Sequence, residues 1–159
     1  YTRMAWFYMT GANSAWSPII QNQIGNNSDM GLTISGGRIH FRQYTKTYTT
    51  GTTDGDYGVS STGSTTISAN TWYHAAIVVN RIASNVKFYI NGTLDSTVST
   101  NVIGNSGSNN IVIGGAYVDG YAGDRMFKGY IPCVSHYSVE LTEDEIKQNF
   151  LCMRGLYGI

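Results

Sequence analysis

Apolar and polar residues alternate at two-residue spacing along most of this chain, and the pattern predicts strands almost throughout. Tyr1 to Met9 places Met4, Trp6 and Tyr8 on one face and Ala5, Phe7 and Met9 on the other. Both faces are apolar, so the strand is expected to be covered on both sides. Trp16 to Asn22 is a second short strand. Leu32 to Ser35 and Arg38 to Tyr44 flank Gly36-Gly37, a hairpin signal. In the second of these, Ile39 and Phe41 point one way while His40 and Arg42 point the other. Lys46 to Ser64 is rich in Thr, Gly, Ser and Asp and reads as an exposed hairpin or loop. Trp72 to Val79 is apolar on both faces, the mark of a central strand. Val86, Phe88 and Ile90 alternate with Lys87 and Tyr89, and Asn91-Gly92 supplies the positive φ angles of a type I′ turn. Leu94 to Ser99 returns. Ile111 to Ile113 is a short buried strand ending in Gly114-Gly115. Tyr117 to Asp124 is a second Gly/Tyr/Asp loop, and Phe127 to Tyr137 is the last long strand.

The period changes to that of a helix once, after Leu141. Thr142 can accept from the Glu145 amide while Glu145 reaches back to the Thr142 amide, a capping box. Leu141 and Ile146 sit where a hydrophobic staple belongs. Ile146, Phe150 and Met153 follow as one apolar stripe that should pack on the strands, and Gly155 is placed to end the helix. The residues expected between the sheets are Trp6, Trp72, Ala76, Val78, Phe88, Ile90, Ile113, Ile131 and Val134.

Composition supports an all-β reading. Nineteen glycines and many β-branched and aromatic residues suit strands joined by tight turns. The 159 residues are enough for one domain with a substantial core. Charged residues make up 13%, about half the usual share, and the formal net charge is zero with no basic run. Nucleic acid as a partner is therefore not expected. No apolar run reaches membrane-spanning length and no charged-then-apolar leader opens the chain, so membrane insertion is not expected either. Cys133 and Cys152 do not make a disulfide framework and read as buried free thiols. Asn26-Asn27-Ser28 and Asn91-Gly92-Thr93 match glycosylation sequons, the second more simply a hairpin turn.

Two segments carry a family signature. One runs N-T-W-Y-H-A-A-I-V-V-N-R, then V-K-F-Y-I-N-G-T-L. The other runs F-K-G-Y-I-P-C-V-S-H-Y-S-V-E-L-T-E-D-E-I. Together they resemble the laminin-G-like, concanavalin A-like family (W-x-H-x-A, F-Y-x-N-G, F-x-G-x-I, L-x-x-x-E-I). The resemblance covers nearly the whole chain and implies an all-β jelly-roll sandwich of two antiparallel sheets with one short C-terminal helix, residues 1–159 forming a single domain. The ending L-T-E-D-E-I-K-Q-N-F-L-C-M-R-G-L-Y-G-I looks like the tail of such domains in bacteriophage and other viral structural proteins. The opening Y-T-R-M-A-W-F-Y resembles the family's second strand. The expectation is therefore a fragment of a longer chain, with the place beside Tyr1 to Met9 filled from elsewhere or by Leu156 to Ile159. Pro132 and Cys133 stand where many members carry acidic residues after G-x-I.

Function is narrowed mainly by what is missing. A sandwich-fold glycoside hydrolase needs two carboxylates flanking the scissile bond. Here Glu140, Glu143 and Glu145 all lie at the terminal helix, and the aspartates form no alternating strand pair. His40, His74 and His136 fall in separate strands with no nucleophile elbow, and His74 reads as a hydrogen-bonded core residue. The expectation is a non-enzymatic protein of the virion surface, a capsid or tail appendage that contacts host-surface glycans or neighbouring subunits, a homo-oligomer being allowed. A secreted or cell-surface carbohydrate-binding or adhesion module is the alternative, and the hydrolase is the weaker one. The resemblance also implies calcium as the one cofactor to consider. Asp54, Asp56, Asp119 and Asp124 offer hard oxygen ligands, although Asp-Gly pairs are equally turn residues. Tyr44, Tyr48, Tyr57, Tyr117 and Tyr121, in or beside the two long loops, are the candidate ligand-binding residues. Their rings stack on sugars, and they would serve protein contacts equally well.

Overall fold

The computed structural model describes residues 1–11, 16–24, 27–43, 60–100, 110–115 and 126–159. Its strands are β1 (Thr2–Met9), β2 (Ser17–Ile24), β3 (Asn27–Ser35), β4 (Arg38–Arg42), β5 (Ser60–Thr66), β6 (Trp72–Asn80), β7 (Asn85–Ile90), β8 (Thr93–Ser99), β9 (Asn110–Ile113) and β10 (Gly129–Tyr137). Helix α1 (Glu143–Tyr157) closes the chain. The strands form two antiparallel sheets: sheet A in the order β10-β1-β6-β7-β8, and sheet B in the order β5-β4-β3-β2-β9. This is the jelly-roll sandwich that the family resemblance implies, built from strands that the alternation predicts.

Between the sheets lie Ala5, Phe7 and Met9 of β1, Ala75, Ile77 and Val79 of β6, and Val86 and Phe88 of β7. They face Ile19, Ile20, Leu32, Ile34, Ile39 and Phe41 of sheet B. The opposite face of sheet A is apolar too, because α1 lies on it. Met4, Ala76, Val78 and Tyr89 pack there with Ile146. Trp6, Ala76 and Val78 are thus buried beneath the helix and not between the sheets. The sequence cannot tell which of two apolar faces meets the other sheet. Trp72 is only half-buried and Ile113 is 54% exposed, since β9 is an edge strand.

Glycines at the hairpins do two kinds of work. Gly36 and Gly37 have φ +57° and +71° in the β3–β4 turn, with open space around them. Asn91 and Gly92, at φ +50° and +75°, make the predicted I′-type turn between β7 and β8. Gly92 has a second role: a Cβ there would stand 2.9 Å from Phe150 of the helix. Gly129, the glycine of the F-x-G-x-I signature, lets β10 approach β1. A Cβ there would lie 1.9 Å from the Tyr8 carbonyl oxygen. Past it, Tyr8 pairs with Tyr130 but Trp6 with Cys133, so β10 carries one extra residue. The bulge accommodates Pro132 on an edge strand, and both features blunt that edge against further pairing.

The helix starts as predicted. Thr142 accepts from the Glu145 amide and Glu145 accepts from the Thr142 amide. The hydrogen bonds hold the Glu145 carboxyl below its ordinary pKa. Upstream, Thr2 donates to the Val139 carbonyl and accepts from the Leu141 amide, anchoring the approach to the helix on β1. The helix does not stop at Gly155. It continues to Tyr157 and is capped by Gly158 in the left-handed region. The extra turn seats the Tyr157 ring against Trp6 and Trp72, at 4.4 and 4.5 Å between centroids. That contact, unreadable from local helix signals, moves the end.

Two further expectations change. The place beside β1 is not vacant, because β10 pairs along one side and β6 along the other. Leu156 to Ile159 end the helix and fill no strand position. Cys133 and Cys152 are free thiols, but Cys133 is half-buried and Cys152 lies on the solvent side of the helix. The two sheets are also tied at one edge. The Asp95 carboxylate of β8 accepts from the backbone N–H groups of Ser64 and Thr65 in β5. Gly63 leaves room for it, since a Cβ there would lie 2.7 Å from an Asp95 oxygen.

Candidate functional site

The outer face of sheet B carries the chemistry that the strand period predicts to point away from the core. Ile39 and Phe41 of β4 are fully buried inside, so His40 and Arg42 must point outward. In register, Thr33 of β3 pairs with His40, and Gly31 with Arg42. The Thr33 hydroxyl donates to the His40 carbonyl at 3.1 Å. Gly31 has no side chain because Gln21 of β2 leans over it, and a Cβ at Gly31 would be 2.9 Å from that of Gln21. The Gln21 amide then donates to the Gly115 carbonyl at 3.1 Å, beyond the sheet edge. Trp16, just before β2, packs edge-on against His40 at 4.8 Å, and the Arg42 guanidinium lies 5.4 Å from the centre of its ring.

These polar side chains are buried. Gln21 is 0% exposed, Thr33 1% and His40 7%. His40 Nε2 is 2.7 Å from the Ser60 hydroxyl on β5, while its Nδ1 and the Gln21 Oε1 have no hydrogen-bond partner among the described residues. Burial, with Arg42 adding to it, lowers the His40 pKa to about 4, so the ring is neutral at pH 7. A neutral imidazole nitrogen and an amide oxygen lie dry and unmatched beside the Trp16–Arg42 pair, and a bound molecule would reach them only where the groups over them move aside.

A second buried histidine, His74, lies under the helix between Trp6 and Phe150 at 5.2 and 6.0 Å. It is 2% exposed and its pKa is lowered by burial to about 4. The expected side-chain hydrogen bond is not made at Nδ1, but the His74 amide donates to the Asn91 side chain. A small gap of about 20 Å³ beside it is lined by Trp6, Cys133, Ser135, Asn149 and Met153, room for one water.

Tyr44, Tyr48, Tyr57, Tyr117 and Tyr121 lie outside the described residues, as do Asp54, Asp56, Asp119 and Asp124. Their stems are described. Strand β4 runs parallel to β2 and β9 antiparallel to it, so the chain leaves Gln43 and Gly115 in opposite directions along sheet B. The returning stem at Phe127 donates to the Gly114 carbonyl at 2.9 Å. Among the described residues no group of three or more His, Cys, Asp and Glu side chains could hold a metal ion. The Asp95 carboxylate is engaged by β5 backbone. The residues that sequence reasoning passed over are Trp16, Gln21 and Arg42. The signal for Arg42 was present, since it shares the polar face with His40. Gln21 and Trp16 depend on bulges and a preceding loop that alternation does not encode.

Two antiparallel five-stranded sheets with a helix on the outer face of one define a lectin-type β-sandwich. The chain belongs to the concanavalin A-like lectin/glucanase superfamily, whose sequence profile (Laminin_G_3) matches residues 1–147. Among solved structures it is similar to the CBM40 domain of the Ruminococcus gnavus IT-sialidase bound to α2,3 sialyllactose. There the identity is 20%, the coverage 94% of this chain and 81% of that one, and the TM-score 0.71. It is similar also to a Bacteroides ovatus protein named as a candidate carbohydrate binder (20% identity, 94% of this chain, 40% of that one, TM-score 0.70). A third is the receptor binding domain of botulinum neurotoxin type G (18% identity, 96% of this chain, 38% of that one, TM-score 0.63). The chain thus spans about two fifths of the Bacteroides protein and of the toxin domain. At these identities the likeness is one of fold. No curated protein is similar enough to count as a match.

Proposed function

We propose that this chain is a non-enzymatic glycan-binding module whose site is the outer face of sheet B around Trp16, Gln21, His40 and Arg42. The observation that carries this is the pair of buried, unmatched polar atoms, Gln21 Oε1 and His40 Nδ1, beside the Trp16–Arg42 stack. Leaving such atoms unpaired costs about 1–3 kcal/mol each, a cost that a rearrangement of this face on ligand binding would relieve. Trp16 supplies the aromatic ring of this face, with the Arg42 guanidinium over it. The sialyllactose-bound relative lends the reading support by analogy of fold alone. Tyrosines 44, 48, 57, 117 and 121 are proposed to flank the site, and Asp54, Asp56, Asp119 and Asp124 to hold calcium if the loops require it.

The setting we propose is the surface of a virion, as a capsid or tail decoration, and the viral-type ending R-G-L-Y-G supports it. A secreted or cell-surface adhesion module is the alternative setting. A second reading of the same chain is contact with neighbouring subunits. Ile111 and Ile113 favour it, being 49% and 54% exposed on the edge strand β9. A glycan array read with and without calcium tests the first reading. Saturable hits that weaken in Arg42→Ala support it, and no hit in either condition contradicts it.

A further inference from the structure

The face of sheet A that carries the helix is covered only in part. From Phe150 a row of rings runs outward: Trp6 at 5.6 Å, Tyr157 stacked on Trp6, Trp72 against Tyr157, then Tyr8 at 5.2 Å from Trp72 and Tyr130 at 6.0 Å from Tyr8. Cross-strand register sets the outer half of this row. Tyr8 of β1 pairs with Trp72 of β6 on one side and with Tyr130 of β10 on the other. Three rings on three adjacent strands therefore share one face. The helix ends over Trp72, and beyond it exposure rises until Tyr130 is 61% exposed. Nothing in the sandwich core requires aromatic residues there, because these side chains point away from it.

We infer that Trp72, Tyr8 and Tyr130 form a second carbohydrate platform, on the sheet opposite the first site, for the apolar face of an uncharged oligosaccharide. Successive rings are tilted by 52° and 48°, so the platform is stepped and follows the twist of the sheet. Such a surface suits the alternating faces of linked pyranose rings better than one flat aromatic partner. Around it, among the described residues, stand the exposed polar residues Thr10, Asn70 and Thr71, with Lys128 paired beside Thr10. A hydroxyl-rich, uncharged ligand finds both stacking faces and hydrogen-bonding rims. A charged peptide finds few partners. Two sites on opposite sheets of one chain would let it bridge glycans and gain avidity.

The inference goes beyond the sheet B reading and is separable from it. The experiment titrates the whole chain with cellohexaose and with an N-acetyllactosamine oligomer, following intrinsic tryptophan fluorescence and calorimetric stoichiometry. Wild type is compared with Tyr130→Ala, Tyr8→Ala and Arg42→Ala. Tyr130 is exposed on an edge strand, so its loss should leave the thermal midpoint near wild type. Tyr130→Ala and Tyr8→Ala are expected to weaken binding about fivefold to tenfold, while Arg42→Ala removes at most the sheet B contribution to the stoichiometry and leaves the Tyr130-dependent component in place. Binding unchanged in Tyr130→Ala and Tyr8→Ala overturns the platform, even if Arg42→Ala abolishes it and sustains the first site. Absence of fluorescence change with both probes also overturns it, as does concentration-dependent dimerisation that Tyr130→Ala removes, which would assign the rings to a second copy of this chain.

Discussion

Gly92→Ala separates backbone strain from packing at the point where the β7–β8 turn meets the helix. Gly92 sits at φ +75°, where an L side chain costs about 1 kcal/mol. The added Cβ would also stand 2.9, 3.1 and 3.2 Å from three atoms of Phe150. Phe150 is 8% exposed and held against Trp6, so it cannot swing away freely. Overpacking of this kind costs about 1–3 kcal/mol. The sum is about 2–4 kcal/mol, which for a chain of this length lowers the thermal midpoint by about 5–15 °C. Urea denaturation of Gly92→Ala, Phe150→Ala and the double variant resolves the two terms. In the Phe150→Ala background only the strain and a residual Cβ contact remain, so Gly92→Ala should cost about 1–2 kcal/mol there. Equal cost in both backgrounds refutes the claimed contact between turn and helix. A silent Gly92→Ala refutes both terms.

Three other outcomes follow from the packing. Tyr157→Ala removes the ring that covers Trp6 and Trp72, and should cost about 2–4 kcal/mol in denaturant, whereas truncation of exposed Leu156 should be near neutral. Asp95→Ala leaves two β5 amides without their acceptor and should cost about 1–3 kcal/mol, with hydrogen exchange rising first at Ser64 and Thr65. His40 and His74 are both held neutral by burial, with pKa values lowered from 6.5 to about 4. The unfolded chain therefore binds more protons between pH 6.5 and 4, and stability falls as pH falls through that window. The loss approaches about 3 kcal/mol for His74 and is abolished at each site by a neutral replacement such as Gln, measured as Tm against pH.

Much of the fold is legible in the alternation because a sandwich imposes it. Both hairpin turns could be read from Gly36-Gly37 and Asn91-Gly92, since only glycine and asparagine take those angles readily. The capping box at Thr142 fixed the helix start for the same local reason. What local signals cannot carry is which apolar face of a doubly covered strand meets the helix. Trp6, Ala76 and Val78 therefore lie under the helix, although the alternation alone would equally put them between the sheets. The end of α1 was set by a distant contact, Tyr157 on Trp6 and Trp72, which outweighs the stop signal at Gly155. The candidate site was legible only in part. His40 and Arg42 could be read from the strand period, but Gln21 reaches the face through a bulged β2, and Trp16 approaches it from a loop. The tyrosines and aspartates chosen for their chemistry lie outside the described residues.

The outer face of sheet B is proposed to receive a glycan. The most direct test is NMR titration with the strongest glycan from the array, following the ring nitrogens of His40 and the indole N–H of Trp16. The expected result is saturable shifts of His40 Nδ1 and of the Trp16 indole at one common affinity, with His74 unmoved, and loss of both shifts in Arg42→Ala. Saturable binding of that glycan with His40 and Trp16 unmoved would contradict it.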